Sequence, residues 1–376
     1  MTVILKILSG SLPRHGAVAP RFPSVGQQLQ SRARSQKNVL HHSISNSVAG
    51  AEEDTKVKKL KIMFFGTDQF AVESLQKLHQ ELRSSSGCIS RLEVTCLQMK
   101  SLKPAVSKFA EENNLNVHLW PPDTDLIRKH FDLGVVASFG KLIPGRVIES
   151  FPEGMINVHG SLLPRWRGAA PVIHALKNGD TKTGVTIMRV KPHKFDMGEM
   201  LATAETNIDE DIIRPDLTSR LATLGANLLV DVLRDFHTIN KEAIKQDDSL
   251  MTLAPLVDKN VAVIDWAALT CTQVYNLWRA VGDLVKLRTR YQETGHTVMV
   301  ATVLHPKLLD GAALDPGAEP GTLAFIRRSK RDKFVCVKCA EGWVAVSDIY
   351  YHNKKVMKPI DFYNGWLSRP GSHKFV

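Results

Sequence analysis

The 376 residues are 43% apolar and carry a formal net charge of +11. A chain of this length holds more than one domain, and its longest apolar runs fall short of the roughly 20 residues of a membrane helix. Five scattered cysteines, an odd number, argue against a disulfide framework, and the one C-x-x-C, Cys336 and Cys339, puts its thiols on opposite strand faces with no second pair to complete a zinc site.

The charge is unevenly placed. Lys6, Arg14, Arg21, Arg32, Arg34 and Lys37 precede Glu52 with no acid among them, a net +6. The stretch from Glu52 to Pro255 is near neutral, at −1, and the remainder from Leu256 is again +6. A leader rich in Ser, Arg, Gln and His and free of acids reads as an organellar transit peptide. A basic arm that binds RNA is the other reading of that composition. The leader is expected to span 1–56.

Lys59–Phe65 (KLKIMFF) reads as a buried strand. Gly66-Thr67-Asp68 then turns it into a helix with Phe70, Leu75 and Leu78 on one side, and Thr67 or Asp68 can cap. The turn lacks G-x-G-x-x-G, so a nicotinamide oxidoreductase is disfavoured. Leu92–Leu97 is a second strand, Ala105–Asn113 a helix, Val117–Trp120 a short strand and Asp132–Ser138 a strand buried on both faces. Strands alternating with helices imply a mostly parallel α/β sheet, whose ligands sit at the C-terminal strand ends.

At such an end lie Asn157 and His159, two apart after an apolar run. Residues i and i+2 of a strand share a face, so an amide and an imidazole point the same way. A Gly/Pro/Arg loop, a helical segment and the strand GVTIMRV follow, and then Asp196, which the returning chain can bring beside His159. The three groups fit acyl transfer. Asn157 can donate to a carbonyl oxygen becoming an oxyanion, His159 can move a proton, and Asp196 can orient the ring. No Ser or Cys stands as an obligatory nucleophile, which favours direct attack by a substrate amine. By spacing alone, the same residues also read as a hydrogen-bonded structural pair and a turn.

Pro215–Phe236 is an amphipathic helix with Leu217, Leu221, Leu224, Leu228 and Val232 as its core stripe. Gln246–Leu256 reads as a polar linker. Beyond it come a helix over Cys271–Val281, with Val274, Leu277, Trp278 and Val281 buried, and strands at Val298–Leu304, Gly321–Ile326, Phe334–Lys338 and Trp343–Ile349, a small barrel. Arg279, Arg327, Arg328, Lys330, Arg331, Lys354, Lys355 and Lys358 make this half attractive to phosphates.

The run from Asn157 to Pro171 (NVHGSLLPRWRGAAP), with Gly179-Asp180, Thr183–Met188 and Asp196-Met197-Gly198, resembles the signature of the methionyl-tRNA formyltransferases, within the wider folate-dependent formyltransferases. The likeness extends from Lys59 to Trp366. It implies a Rossmann-like catalytic domain over 57–245, a linker over 246–256 and an OB-like tRNA-binding barrel over 257–376. It implies that Asn157, His159 and Asp196 are catalytic, and that Ser161, Leu162, Leu163, Pro164, Phe139 and Gly140 border 10-formyltetrahydrofolate, with no metal. Arg165, Arg167, Lys100, Lys103 and Arg279 would meet initiator methionyl-tRNA. A monomeric enzyme of the mitochondrial matrix, off the membrane, is expected. Another folate formyltransferase acting on a small amine, or a non-catalytic tRNA-binding relative, are the alternatives. One departure stands out: only Gln98–Lys103 remains where the resemblance implies a longer loop gripping the tRNA acceptor end.

Overall fold

The structure is a computed structural model and describes residues 59–98, 103–351 and 356–376. The leader, Lys100, Lys354 and Lys355 lie outside the described residues. The N-terminal half runs β1 (Leu60–Gly66), α1 (Gln69–Arg83), β2 (Ile89–Cys96), α2 (Ala105–Glu112), β3 (Val117–Leu119), α3 (Thr124–His130), β4 (Leu133–Ala137), α4 (Gly145–Ile148), β5 (Met155–His159), α5 (Pro171–Lys177), β6 (Lys182–Arg189), β7 (Met200–Asn207), α6 (Arg214–Arg234) and α7 (Phe236–Lys241). Its seven strands form one sheet in the order β3-β2-β1-β4-β5-β6-β7. β3 to β5 pair in parallel, while β6 and β7 return antiparallel. The sheet is Rossmann-like and mostly parallel, and the direction of sequence order reverses beside β1.

β1 reads as an unbroken apolar run because both its faces are covered. Ile62 and Phe64 enter a core shared with α1 and α6, and Met63 and Phe65 enter a second one with Phe131, Phe139 and Phe151. Asp68 caps α1 by accepting from the Ala71 amide at 3.3 Å. It also accepts from the Ser138 hydroxyl at 2.6 Å, and Thr67 Oγ1 donates to the Phe139 carbonyl at 2.8 Å. The turn after β1 is thereby tied to the loop after β4.

The stripe on α6 is shifted from its expected position. Leu217 and Leu221 are fully buried, but Leu224 and Leu228 are only half-buried, and Gly225 and Leu229 take the core line. A Cβ at Gly225 would stand 2.8 Å from Val158 Cγ1, so the helix lies against β5 where a side chain does not fit. Neither β7 nor α3 was expected; β7 alternates Ala, Glu and Thr with half-exposed faces, which hides the strand in a hydropathy reading.

In the C-terminal half, α8 (Cys271–Val281) precedes β8 (Leu287–Arg290), β9 (Thr297–Val300), β10 (Leu323–Arg327), β11 (Lys333–Lys338), β12 (Trp343–Val346), β13 (Ile349–Tyr351), β14 (Val356–Met357) and α9 (Pro359–Phe362). The single strand expected over Trp343–Ile349 is two. β12 pairs with β11, and after a corner at Ser347-Asp348 β13 pairs with β9 in the other sheet. That corner and the chain end close the barrel: Leu323 donates to His373 O at 2.9 Å and Arg290 to Val376 O at 2.9 Å, so the last residues join both sheets. Cys336 and Cys339 do lie in different cores, each thiol pushed up to about 12 by burial. Of the expected buried side of α8, Val274, Leu277 and Val281 are buried and Trp278 is half-buried, its Nε1 donating to Ala301 O at 2.8 Å. The barrel is docked on the N-terminal half, with Arg279 Nη1 donating to Asp209 O at 3.1 Å. No described helix is long and apolar enough to cross a membrane.

Candidate active site

β4 and β5 run side by side with Ala137 opposite Val158, so the loops that leave them open at the same end of the sheet. Alternation along β5 sends Ile156 and Val158 into one core and Met155 into the other. Asn157 and His159 share the face of Met155, as their spacing requires.

His159 is 6% exposed. Its Nε2 lies 3.0 Å from the Trp166 carbonyl, which can only accept. The neutral ring therefore carries its hydrogen on Nε2 and presents a lone pair at Nδ1. Facing Nδ1, at 3.7 Å, is Asp196 Oδ1. That separation is an ion-pair distance and not a hydrogen bond. The ring is oriented by the Trp166 carbonyl, where the sequence had suggested Asp196. The other oxygen of Asp196 accepts from the Gly168 amide at 2.9 Å. Asn157 is half-buried, and its amide has no hydrogen-bond partner among the described residues.

The loop after β5 is what holds these groups. Thr186, opposite His159 on β6, donates to Ser161 O at 2.7 Å and accepts from the Leu163 amide at 3.0 Å. Trp166 takes φ of +63°, and its indole donates to Asp180 Oδ2 at 2.7 Å. Gly168 has φ of +129°, and a Cβ there would stand 2.5 Å from Ala254 O. The segment expected as a polar linker therefore touches the site. The Trp166 amide donates to Thr252 Oγ1 at 2.9 Å, Arg167 N to Thr252 O at 2.9 Å, and Ala254 N to Arg167 O at 2.7 Å. Among the described residues no group of three or more His, Cys, Asp or Glu is placed to hold a metal ion.

The formyl transferase family profile matches residues 60–233, and the formyl transferase C-terminal domain profile matches residues 256–367. The chain is 36% identical to the mitochondrial methionyl-tRNA formyltransferase of Homo sapiens over 316 residues, covering 82% of this chain and 78% of that one. The chain belongs to the methionyl-tRNA formyltransferase family. Identity to the Acetivibrio thermocellus methionyl-tRNA formyltransferase is 32%, over 79% of this chain and 94% of that one. Among solved structures, the N-formyltransferase from Helicobacter canadensis in complex with folinic acid and dTDP-3-aminofucose superposes with a TM-score of 0.54. It covers 77% of this chain and 100% of its own at 16% identity, a likeness of fold.

Within this family frame, the residues assigned to folate divide in two. Gly140 is exposed, and Leu162 and Pro164 keep part of their surface. Phe139, at 3% exposed, turns its ring into Phe65 and Trp120, with centroids 5.6 and 5.0 Å away. Ser161 is fully buried and donates to Arg165 O at 2.7 Å, and Leu163 is buried too. These three frame the loops from inside.

The residues assigned to tRNA divide likewise. Arg165 is exposed, forks onto Asp180 at 2.8 and 2.6 Å and stacks over Trp166. Lys103 is exposed and paired with Glu111. Arg167 is 4% exposed; its Nε and Nη2 donate to Gln246 Oε1, and Nη2 pairs with Asp248 at 2.7 Å. Arg279 is 6% exposed, donates to Asn276 and Asp209, and burial holds its pKa down. Neither buried guanidinium faces an external polyanion; each ties parts of this chain together. Sequence reasoning missed Gln246 and Thr252, which sit in a stretch without periodicity, 48 to 86 positions from what they hold.

Proposed function

We propose that the chain transfers the formyl group of 10-formyltetrahydrofolate to the amino group of methionyl-initiator tRNA, in the mitochondrial matrix. The reading is carried by one observation: the imidazole Nδ1 of His159 and a carboxylate oxygen of Asp196 face one another at 3.7 Å beside an amide that has no partner among the described residues. The mitochondrial relatives and the acid-free leader support the location.

The end of the sheet suits a folate. Gly140, Leu162 and Pro164 offer small and apolar surface on the two loops that flank Asn157. When bound, the folate supplies an electrophilic formyl carbon. Asn157 holds the formyl oxygen and stabilises charge developing there. His159 takes the proton of the incoming amine at Nδ1, since Nε2 is committed to Trp166. As the new nitrogen–carbon bond forms, the bond from the formyl carbon to the folate nitrogen breaks, and that nitrogen takes a proton as tetrahydrofolate leaves. Asp196 faces that proton and stabilises the charged ring. The Gly168 amide keeps the carboxylate in place.

The exposed residues Arg327, Arg328, Lys330 and Arg331 lie at and beyond the end of β10, on the turn into β11. They form a cationic tip suited to tRNA phosphates. The test is formylation by the purified full chain with 10-formyltetrahydrofolate, comparing methionyl-initiator tRNA, uncharged tRNA and a nucleotide amino sugar. Formyl transfer to the charged tRNA alone is expected. Transfer only to the amino sugar, or to nothing, overturns the reading.

A further inference from the structure

We infer that the segment 246–254 is a positioning element for the catalytic pair, with Gln246 acting on Asp196 and Thr252 acting on the backbone that orients His159. The inference rests on the function proposed above and assigns this segment a role in the same site.

Gln246 is 5% exposed, and every polar atom of its side chain is engaged across the site. Its Nε2 donates to Asp196 O at 2.9 Å and to Gly198 O at 2.8 Å. Its Oε1 accepts from Arg167 Nε at 2.9 Å and Nη2 at 2.7 Å. Asp196 has φ of +50°, a left-handed backbone that a non-glycine residue keeps only when its surroundings hold it. The Gln246 amide thus holds the turn at Asp196 and at Gly198, while the Asp196 carboxylate faces His159 and accepts from the Gly168 amide. One side chain therefore clamps the Asp196 turn onto the loop that carries Gly168.

The same segment fixes the His159 side. Trp166 orients the imidazole through its carbonyl and is itself held at its amide by Thr252 Oγ1. Ala254 adds two bonds, donating to Arg167 O and accepting from the Ala170 amide at 3.0 Å. The strap leads directly into the barrel, whose helix α8 packs on α5. Both catalytic side chains are thus set by a stretch lying between the two halves of the molecule.

The chemistry of Gln246 makes the inference testable. A glutamate there keeps its shape and its partner Arg167, but a carboxylate cannot donate to two carbonyls. Rates are normalised to the folded fraction, measured by thermal melting of the full chain. Gln246→Glu and Gln246→Ala are each expected to lower kcat at least tenfold, with KM for both substrates within about twofold. In an Asp196→Asn background, Gln246→Ala is expected to cost less than twofold more, because its effect passes through that carboxylate. Thr252→Val is expected to slow turnover, and Thr252→Ser, which keeps the hydroxyl, to restore it. Wild-type kcat in the folded Gln246 variants, a full additional loss in the Asp196→Asn background, or equal rates for the Thr252 pair would each overturn the inference. A wild-type chain that formylates nothing would instead remove the function on which it rests.

Discussion

At the scale of single residues, charge alone is a poor guide to what a side chain does here. Arg165 and Arg167 are two apart in one loop, yet one guanidinium is exposed over an indole and the other is sealed under Gln246 and Asp248. Arg167→Ala leaves those acceptors without a donor, and is expected to destabilise the protein by about 1–3 kcal/mol, while the salt dependence of tRNA binding stays unchanged. Urea titration and binding at two salt concentrations read the two effects. Asn157 is the opposite case. With no partner to orphan among the described residues, Asn157→Ala is expected to leave the melting temperature nearly unchanged. Formylation kcat should fall about a hundred- to a thousandfold, the cost of one lost oxyanion donor. The i, i+2 spacing made the shared face of Asn157 and His159 legible in the sequence. The ring's anchor was not, because it is a backbone carbonyl and carries no residue signature.

At the scale of elements, β1 and β4 were readable because both their faces are buried and their apolar runs are nearly continuous. The antiparallel return was less so: β7 has alternating polar residues and lies at the sheet edge. The core line of α6 passes through Gly225, which a count of leucines overlooks. Gly225→Ala places a methyl against Val158, between Asn157 and His159, and should cost about 1–3 kcal/mol by overpacking. Its kcat is expected to fall as well, since β5 must shift, and a denaturant titration beside a rate measurement checks both. At the edge β2–β3, burial pushes the Glu93 carboxyl up, but bonds from His118, Arg91 and Asn116 outweigh it and hold its pKa below the ordinary value. A folded pKa below the unfolded one stabilises the native state above the unfolded value, and that share is lost as pH falls through the folded value. Glu93→Gln should therefore lower the melting temperature at neutral pH, with the gap to wild type closing below about pH 4.

At the scale of the whole molecule, the excess positive charge of the C-terminal half has one clear outlet among the described residues, the β10–β11 turn. Replacing Arg327, Lys330 and Arg331 with alanine is expected to weaken tRNA binding at low salt. The slope of log K against log salt should flatten by about 2, at roughly 0.7–0.9 for each phosphate no longer neutralised. Formylation measured at saturating tRNA should be spared, because these residues are distant in sequence and element from the site. A slope equal to wild type would mean that other cations carry the tRNA. The barrel as a class was legible from short strands and turns. Its closure was not, because the chain end that joins the two sheets and the corner at Ser347-Asp348 are pairings between distant segments.

The sequence by itself determined much of the alternation of strands and helices in the parallel sheet, the shared face of Asn157 and His159, and the family, because each is written in local periodicity or in one contiguous motif. Tertiary structure alone decided which arginines are exposed, what holds the His159 ring, and that residues 246–254 bond to the loop carrying Trp166 and Arg167. Those outcomes depend on partners such as Arg167 and Gln246, 79 residues apart. Burial and hydrogen-bond satisfaction are properties of the packed chain, and no local pattern of residues encodes them.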